Sequence, residues 1–209
     1  KFVNSTVCSF VPNIIPQVQN DQHQREVRGV FDALRNRIGM NNDIDRRRNY
    51  MGEIIFTNKN RMNPFADVVL KPDPLQNELT RLSEKTKTGG FGLPTSTKID
   101  SYRDLKDLMY SPTQSYYDKW IELSGEIKIN GKTLRQSMTN FVESDRYDRM
   151  QDPDGDNTGP RVDGLKKIGS LYRLRAENIL KRESPEFRQL LDDKRKARRD
   201  IKRFLDNPR

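Results

Sequence analysis

The chain has 209 residues, 39 of them Lys or Arg against 30 Asp or Glu for a formal charge of +9, and only 33% are hydrophobic, with a mean hydropathy of -0.96. An ordinary compact enzyme is about half apolar, so much of this chain is expected to be solvated, extended or buried against a neighbour. A single cysteine, Cys8, and a single histidine, His23, exclude an intrachain disulfide and a structural zinc site, which takes its ligands largely from those residue types.

Residues 1–99 read as an extended arm and connector region holding two helices. The opening at Lys1 lacks the layout of a signal peptide and reads as a piece of a longer polypeptide. Val11-Pro12-Asn13-Ile14-Ile15-Pro16 is an apolar strip whose prolines forbid a regular helix, so it is expected to lie on a neighbour's surface. His23 sits in a polar run at a helix start and reads as a solvated or capping residue rather than a general base. Val27, Val30, Phe31, Leu34 and Ile38 then stripe a helix of about 17 residues that ends at Gly39 and must dock on something. After an aperiodic stretch that includes Arg46-Arg47-Arg48, Leu75, Leu79 and Leu82 share one face of a short helix following Pro74. The glycines after Lys87 lack the spacing of a phosphate-binding loop and read as a linker.

Residues 100–209 read as a helical bundle ending in a basic hairpin. Tyr102, Leu105, Leu108 and Met109 fall on one helical face, and Ser111-Pro112 supplies an N-cap with proline at the first position of the next helix. That helix carries Tyr116, Tyr117, Trp120, Ile121 and Leu123 and is expected to stop at Gly125 in the left-handed capping conformation. Ile127 to Gly131 alternates like a strand ending in a turn dipeptide, at most a minor hairpin. Thr133 caps a helix bearing Leu134, Met138, Phe141 and Val142. The loop from Asp152 to Pro160 resembles a calcium loop, but its sixth and twelfth positions are Asn157 and Asp163, where glycine and glutamate are required. Two long helices finish the chain as an expected antiparallel pair, one striped by Leu165, Ile168, Tyr172, Ala176, Ile179 and Leu180. The other begins at Ser184-Pro185 and carries Phe187, Leu190, Leu191, Ala197, Ile201, Phe204 and Leu205.

Charge is concentrated at that end. From Arg161 onward there are 16 Lys and Arg against 8 Asp and Glu, whereas the first 160 residues hold 23 against 22. Lys194, Arg195, Lys196, Arg198, Arg199, Lys202 and Arg203 are read as covering every side of the last helix that the apolar stripe leaves open, a face able to follow nucleic-acid phosphates or an acidic partner. Tyr116, Tyr117, Trp120, Tyr147 and Tyr172 are the main aromatic area of this half and read as its packing core rather than a base-stacking platform.

An ordered series of short motifs runs through the same half: Tyr117-x-x-Trp120-x-x-Leu123-x-Gly125, Gly131-Lys132-Thr133-Leu134, Ser144-x-x-Tyr147, Gly159-Pro160-Arg161, Tyr172-Arg173-x-x-Ala176 and Ser184-Pro185-Glu186. It resembles the large polyvalent protein-associated helical domain of phage and prophage polyproteins, some of which look like internal virion or ejection proteins of short-tailed bacteriophages. The likeness spans roughly residues 102–186, and Met150-Gln151 stands where that pattern often has Leu-Pro. It implies a virion structural segment packed near the portal or tail channel and the genome, acting in assembly and DNA ejection. Its partners would be other copies of itself, portal, internal or tail proteins, and packaged DNA; no cofactor, metal or catalytic residue is implied. Two alternatives are a nucleic-acid-binding helical module and a non-catalytic part of a phage hydrolase or anti-restriction polyprotein. For catalysis in this chain, Glu122 and Glu126 beside the aromatic helix are the least implausible pair.

Overall fold

In the computed structural model the described residues are 24–27, 30–38, 40, 44–55, 73–86, 90–95, 97–155 and 158–206. Cys8, His23 and the strip from Val11 to Pro16 lie outside them. The elements are α1 (Val30–Ile38), α2 (Pro74–Lys85), β1 (Met109–Ser111), β2 (Gln114–Ser115), α3 (Tyr116–Glu126), α4 (Leu134–Val142), α5 (Asp145–Asp148), α6 (Gly159–Glu183) and α7 (Pro185–Asp206). The fold is mainly α, as the periodicity implies.

Local chemistry accounts for most helix starts. Asp73 accepts from the Gln76 backbone ahead of Pro74, Ser115 from Asp118, and Thr133 with Gln136 closes a reciprocal capping box on α4. Ser184 Oγ accepts from the Phe187 N–H at 3.1 Å and so starts α7. Asn130 and Gly131, at φ 51° and 77°, make the tight turn between Ile129 and Lys132 that the dipeptide announces.

Three readings change. Residues 100–108 form turns rather than a helix, because Asp100 and Asp104 side chains capture the backbone N–H groups of Tyr102, Arg103 and Lys106. Ser111 ends β1 and Pro112 opens the β1–β2 turn, so α3 begins only at Tyr116. The first helix is the nine-residue α1; Val27 lies before it, its N–H turned back onto the Arg25 carbonyl, and Phe31 is 83% exposed.

Long helix α6 is the central strut, packing against α3, α4 and α7. One core joins Tyr50, Met51, Leu75, Leu79 and Leu82 to Leu134, Met138, Tyr147, Leu165 and Tyr172. A second joins Ile99, Leu105, Tyr116, Tyr117 and Ile121 to Leu180, Phe187 and Leu191. The boundary expected at residue 99/100 is therefore not a packing boundary. Segment 44–55 and α2 supply walls of the same core as the C-terminal bundle, because α4 and α6 alone leave Leu134, Met138 and Tyr172 without a lid.

Segment 44–55 is held by polar as well as apolar contacts. Arg48 Nε donates to Asp118 Oδ1 at 2.7 Å, with both side chains only 8% exposed, and Ser115 donates to buried Asp45 through Oγ at 2.7 Å and N at 3.1 Å. Gly125 lies inside α3 rather than capping it. Its missing side chain admits segment 44–55: a Cβ would meet the Met51 carbonyl oxygen at 2.5 Å, and one on Gly52, at φ +81°, would meet the Ile121 oxygen at 2.5 Å. Helix propensity by itself favours Ala over Gly by about 1 kcal/mol. We predict the opposite sign for Gly125→Ala, a loss of about 1–3 kcal/mol from the forced backbone separation, measured as a lower urea midpoint. A raised midpoint would mean that the two backbones do not touch.

Candidate nucleic-acid interface

Helix α7 is anchored at its start and uncovered at its end. Phe187 is buried, with its ring stacked on Tyr116 at 5.5 Å, and Leu191 is 8% exposed. Arg103 then reaches Asp193 at 3.0 Å. Past Ala197 every described side chain of α7 is exposed, including Ile201 at 61% and Leu205 at 69%. The apolar stripe from Phe187 to Leu205 is read from the sequence as able to hold the two last helices together as a hairpin. Among the described residues, only its first turns are buried, against Leu180, Tyr116 and Tyr117.

The seven cations of α7 do not form a single face. At 100° per residue, Lys194 and Arg198 fall between Leu191 and Ile201 on the apolar side, whereas Arg195, Lys196, Arg199, Lys202 and Arg203 gather on the other. The six besides Lys194 are exposed. Lys194 is half-buried, and burial followed by the charge of Arg198 pulls its pKa below the usual lysine range, against the opposing pull of Asp104 and Glu177. Arg195 pairs with Asp192 at 3.3 Å across the solvated surface, a contact worth little to stability.

Of the aromatic set, Tyr116, Tyr117, Tyr147 and Tyr172 are buried. The Tyr172 hydroxyl donates to the Lys132 carbonyl and is hydrogen-bonded to Ser137 Oγ, and Tyr117 donates to the Pro94 carbonyl at 3.0 Å. Trp120 differs, being only partly buried. Its Nε1–H donates to the Arg173 carbonyl at 2.9 Å, Tyr117 meets it edge-on at 6.2 Å, and it lines a recess of about 230 Å³ at the foot of α7. Periodicity places Trp120 toward the core but gives no sign that α7 diverges there and leaves part of it uncovered.

A larger groove of about 860 Å³ runs between segment 47–50, α2 and residues 91–95. Arg48 and Lys106 on its wall already pair with Asp118 and Glu26. Glu122 accepts from Gln114 at 2.7 Å and Lys119 at 3.2 Å and lies 3.3 Å from Arg48. Burial raises its pKa, but Gln114 and the neighbouring cations outweigh that and hold it below the usual range, the wrong direction for a proton donor.

Asp152, which opens the loop that resembles a calcium site, is instead a clamp. Arg81 donates to both of its oxygens at 2.6 and 3.0 Å, Lys85 at 2.5 Å and Arg161 at 2.8 Å. Asp156 and Asn157 of that loop lie outside the described residues, among which no cluster of three or more metal-binding side chains occurs. No helix among the described residues is long and apolar enough to cross a membrane. No family model, curated protein or solved structure matches the chain.

The Arg81 hydrogen bonds, then those of Lys85, drive the Asp152 pKa far below the usual carboxylate range. A depressed folded-state pKa means that the stabilisation is complete above the unfolded value of ~3.9 and is lost as pH falls below it. Asp152→Asn is predicted to melt about 2–4 °C below the parent at pH 7, as for a loss near 1 kcal/mol, with the gap narrowing as pH falls from ~3.9 toward the depressed folded-state pKa. Melts across that range check it; a gap that persists in acid would show that the clamp is not the cause.

Proposed function

We propose that this chain is a non-catalytic architectural segment whose C-terminal helix holds nucleic acid. We further propose that it serves within an internal or ejection protein of a virion, near the portal or tail channel. The observation that carries the reading is the distal half of α7, where Arg195, Lys196, Arg199, Lys202 and Arg203 are exposed on one side and Ile201 and Leu205 on the other. Cations spaced along a helix neutralise successive phosphates and release their counterions, a salt-dependent and sequence-tolerant attraction. The exposed apolar residues suit docking on a neighbouring subunit, which a DNA contact alone does not require. The virion placement rests on the motif series from Tyr117 to Glu186 and its likeness to the phage polyprotein domain.

Because these cations lie away from the buried stripe, the triple change of Lys196, Arg199 and Arg203 to Gln is expected to alter stability by no more than about 0.5 kcal/mol. Its affinity for a duplex DNA will fall, and the slope of log affinity against log salt will lessen by about 2–3, one for each lost phosphate contact. Fluorescence anisotropy between 50 and 200 mM salt measures both, a window over which ~6 contacts change affinity by orders of magnitude. Unchanged affinity with a lowered melting temperature would make these residues structural and remove the nucleic-acid reading. In a particle, the same variant is expected to impair packaging, ejection or incorporation of the protein; normal infectivity would remove the virion placement.

A further inference from the structure

We infer that the recess beside Trp120 receives one unpaired base of a single-stranded nucleic acid, so that α7 selects single strands over duplex. The inference rests on the nucleic-acid reading of α7 and specifies which form of nucleic acid it takes. Leu105, Phe187 and Leu191 make the apolar floor of the recess, and Trp120 lines it. Its rim carries Lys194, Arg195 and Arg198 with Glu177, while Asp104 acts on Lys194 and Asp192 pairs with Arg195. At about 230 Å³ the space is below the ~300–1,000 Å³ of ordinary ligand pockets, which suits one flat ring system rather than a helix or a larger molecule.

The indole is fixed before anything binds. The bond from Nε1 to the Arg173 carbonyl at 2.9 Å and the edge contact with Tyr117 hold its plane, so little ordering remains to oppose stacking. Lys194 is half-buried beside Arg198, so the recess concentrates positive charge next to an apolar surface. A nucleotide offers the matching pair of features, a flat face and an adjoining anion. The cations do not stop at the recess. Arg195, Arg199 and Lys202 continue along α7 at close to one per ~5.4 Å turn, a track for the phosphates that follow the stacked base. An acidic peptide with an aromatic side chain would share the first two features, but its charge need not repeat along the chain as a phosphodiester's does. Duplex DNA keeps its bases stacked inside and presents only phosphates, whereas a single strand offers a base face to any aromatic ring.

Trp120 is the only tryptophan, so its fluorescence reports the recess directly in the full chain. Oligothymidylate, an abasic strand of equal length and a duplex of equal length are titrated at low salt, with anisotropy of labelled strands recorded in parallel. Oligothymidylate is expected to quench Trp120 saturably and to bind about ten-fold more tightly than the abasic strand. Arg198→Gln is expected to weaken the quenching titration several-fold, with its melt recorded alongside to separate binding from stability. In case Trp120→Leu folds poorly, Trp120→Phe provides the second variant, retaining most of the single-strand preference by anisotropy. Equal binding of abasic and base-bearing strands without quenching would overturn the base site and leave the phosphate reading of α7 standing. Absence of binding by all three nucleic acids would overturn both. Saturable quenching by a short acidic, phenylalanine-containing peptide at lower concentrations than oligothymidylate would assign the recess to a protein partner and also overturn the inference.

Discussion

The guanidinium of Arg173, buried in the middle of α6, ties the two cores together. It lies 4.2 Å from the centroid of the Tyr50 ring and donates to the Tyr50 carbonyl at 3.1 Å, while the Arg173 carbonyl accepts the Trp120 indole N–H. A cation removed from water needs an aromatic face and an oxygen in its place, and segment 44–55 provides both. The first core depends on that segment being present, through Tyr50 and Met51. The second is linked through the same residue's backbone to Trp120. Removing segment 44–55 would therefore expose apolar surface and also strand a buried charge.

Among the described residues, six acidic side chains of the first 160 positions help to bind that scaffold together. Asp118 holds Arg48, Glu53 and Asp73 share Arg135, Glu78 and Asp152 share Arg81, and Glu26 holds Lys106. Several of these pairs join segments far apart in sequence, so they fix the register of chain crossings that an apolar core alone tolerates loosely. The surplus beyond Arg161 has less internal use, and on α7 it lies on a helix that has left the body of the protein.

That departure also creates the recess. Phe187 and Leu191 are drawn into the second core by Tyr116, Tyr117 and Leu180, while the helix beyond Ala197 has no covering surface among the described residues. Cover is lost along α7 beyond its first turns, and the recess that Trp120, Lys194 and Arg198 line lies where that cover ends. Anchoring and exposure thus arise on one element, with its rigid base setting where the cations stand.

Period and capping chemistry in the sequence determined the mainly helical class, the stripes of α2, α4 and α6, the starts at Thr133 and Ser184, and the excess of charge at the end, since each depends on residues within a few positions of one another. Tertiary structure decided what those stripes meet. Segment 44–55 carries no periodicity, and its role as a lid depends on Gly125, Asp118 and Arg173, which lie 70 or more positions beyond the residues of it that they meet. Gly125 reads locally as a helix stop because a glycine at a helix end and one under a crossing chain look alike in sequence. The split of the α7 cations into two sides was available from 100° geometry, but the exposure of Ile201 and the recess at Trp120 were not: an apolar stripe states that a face can be buried, and only the position of its neighbours decides how far along the helix that burial extends.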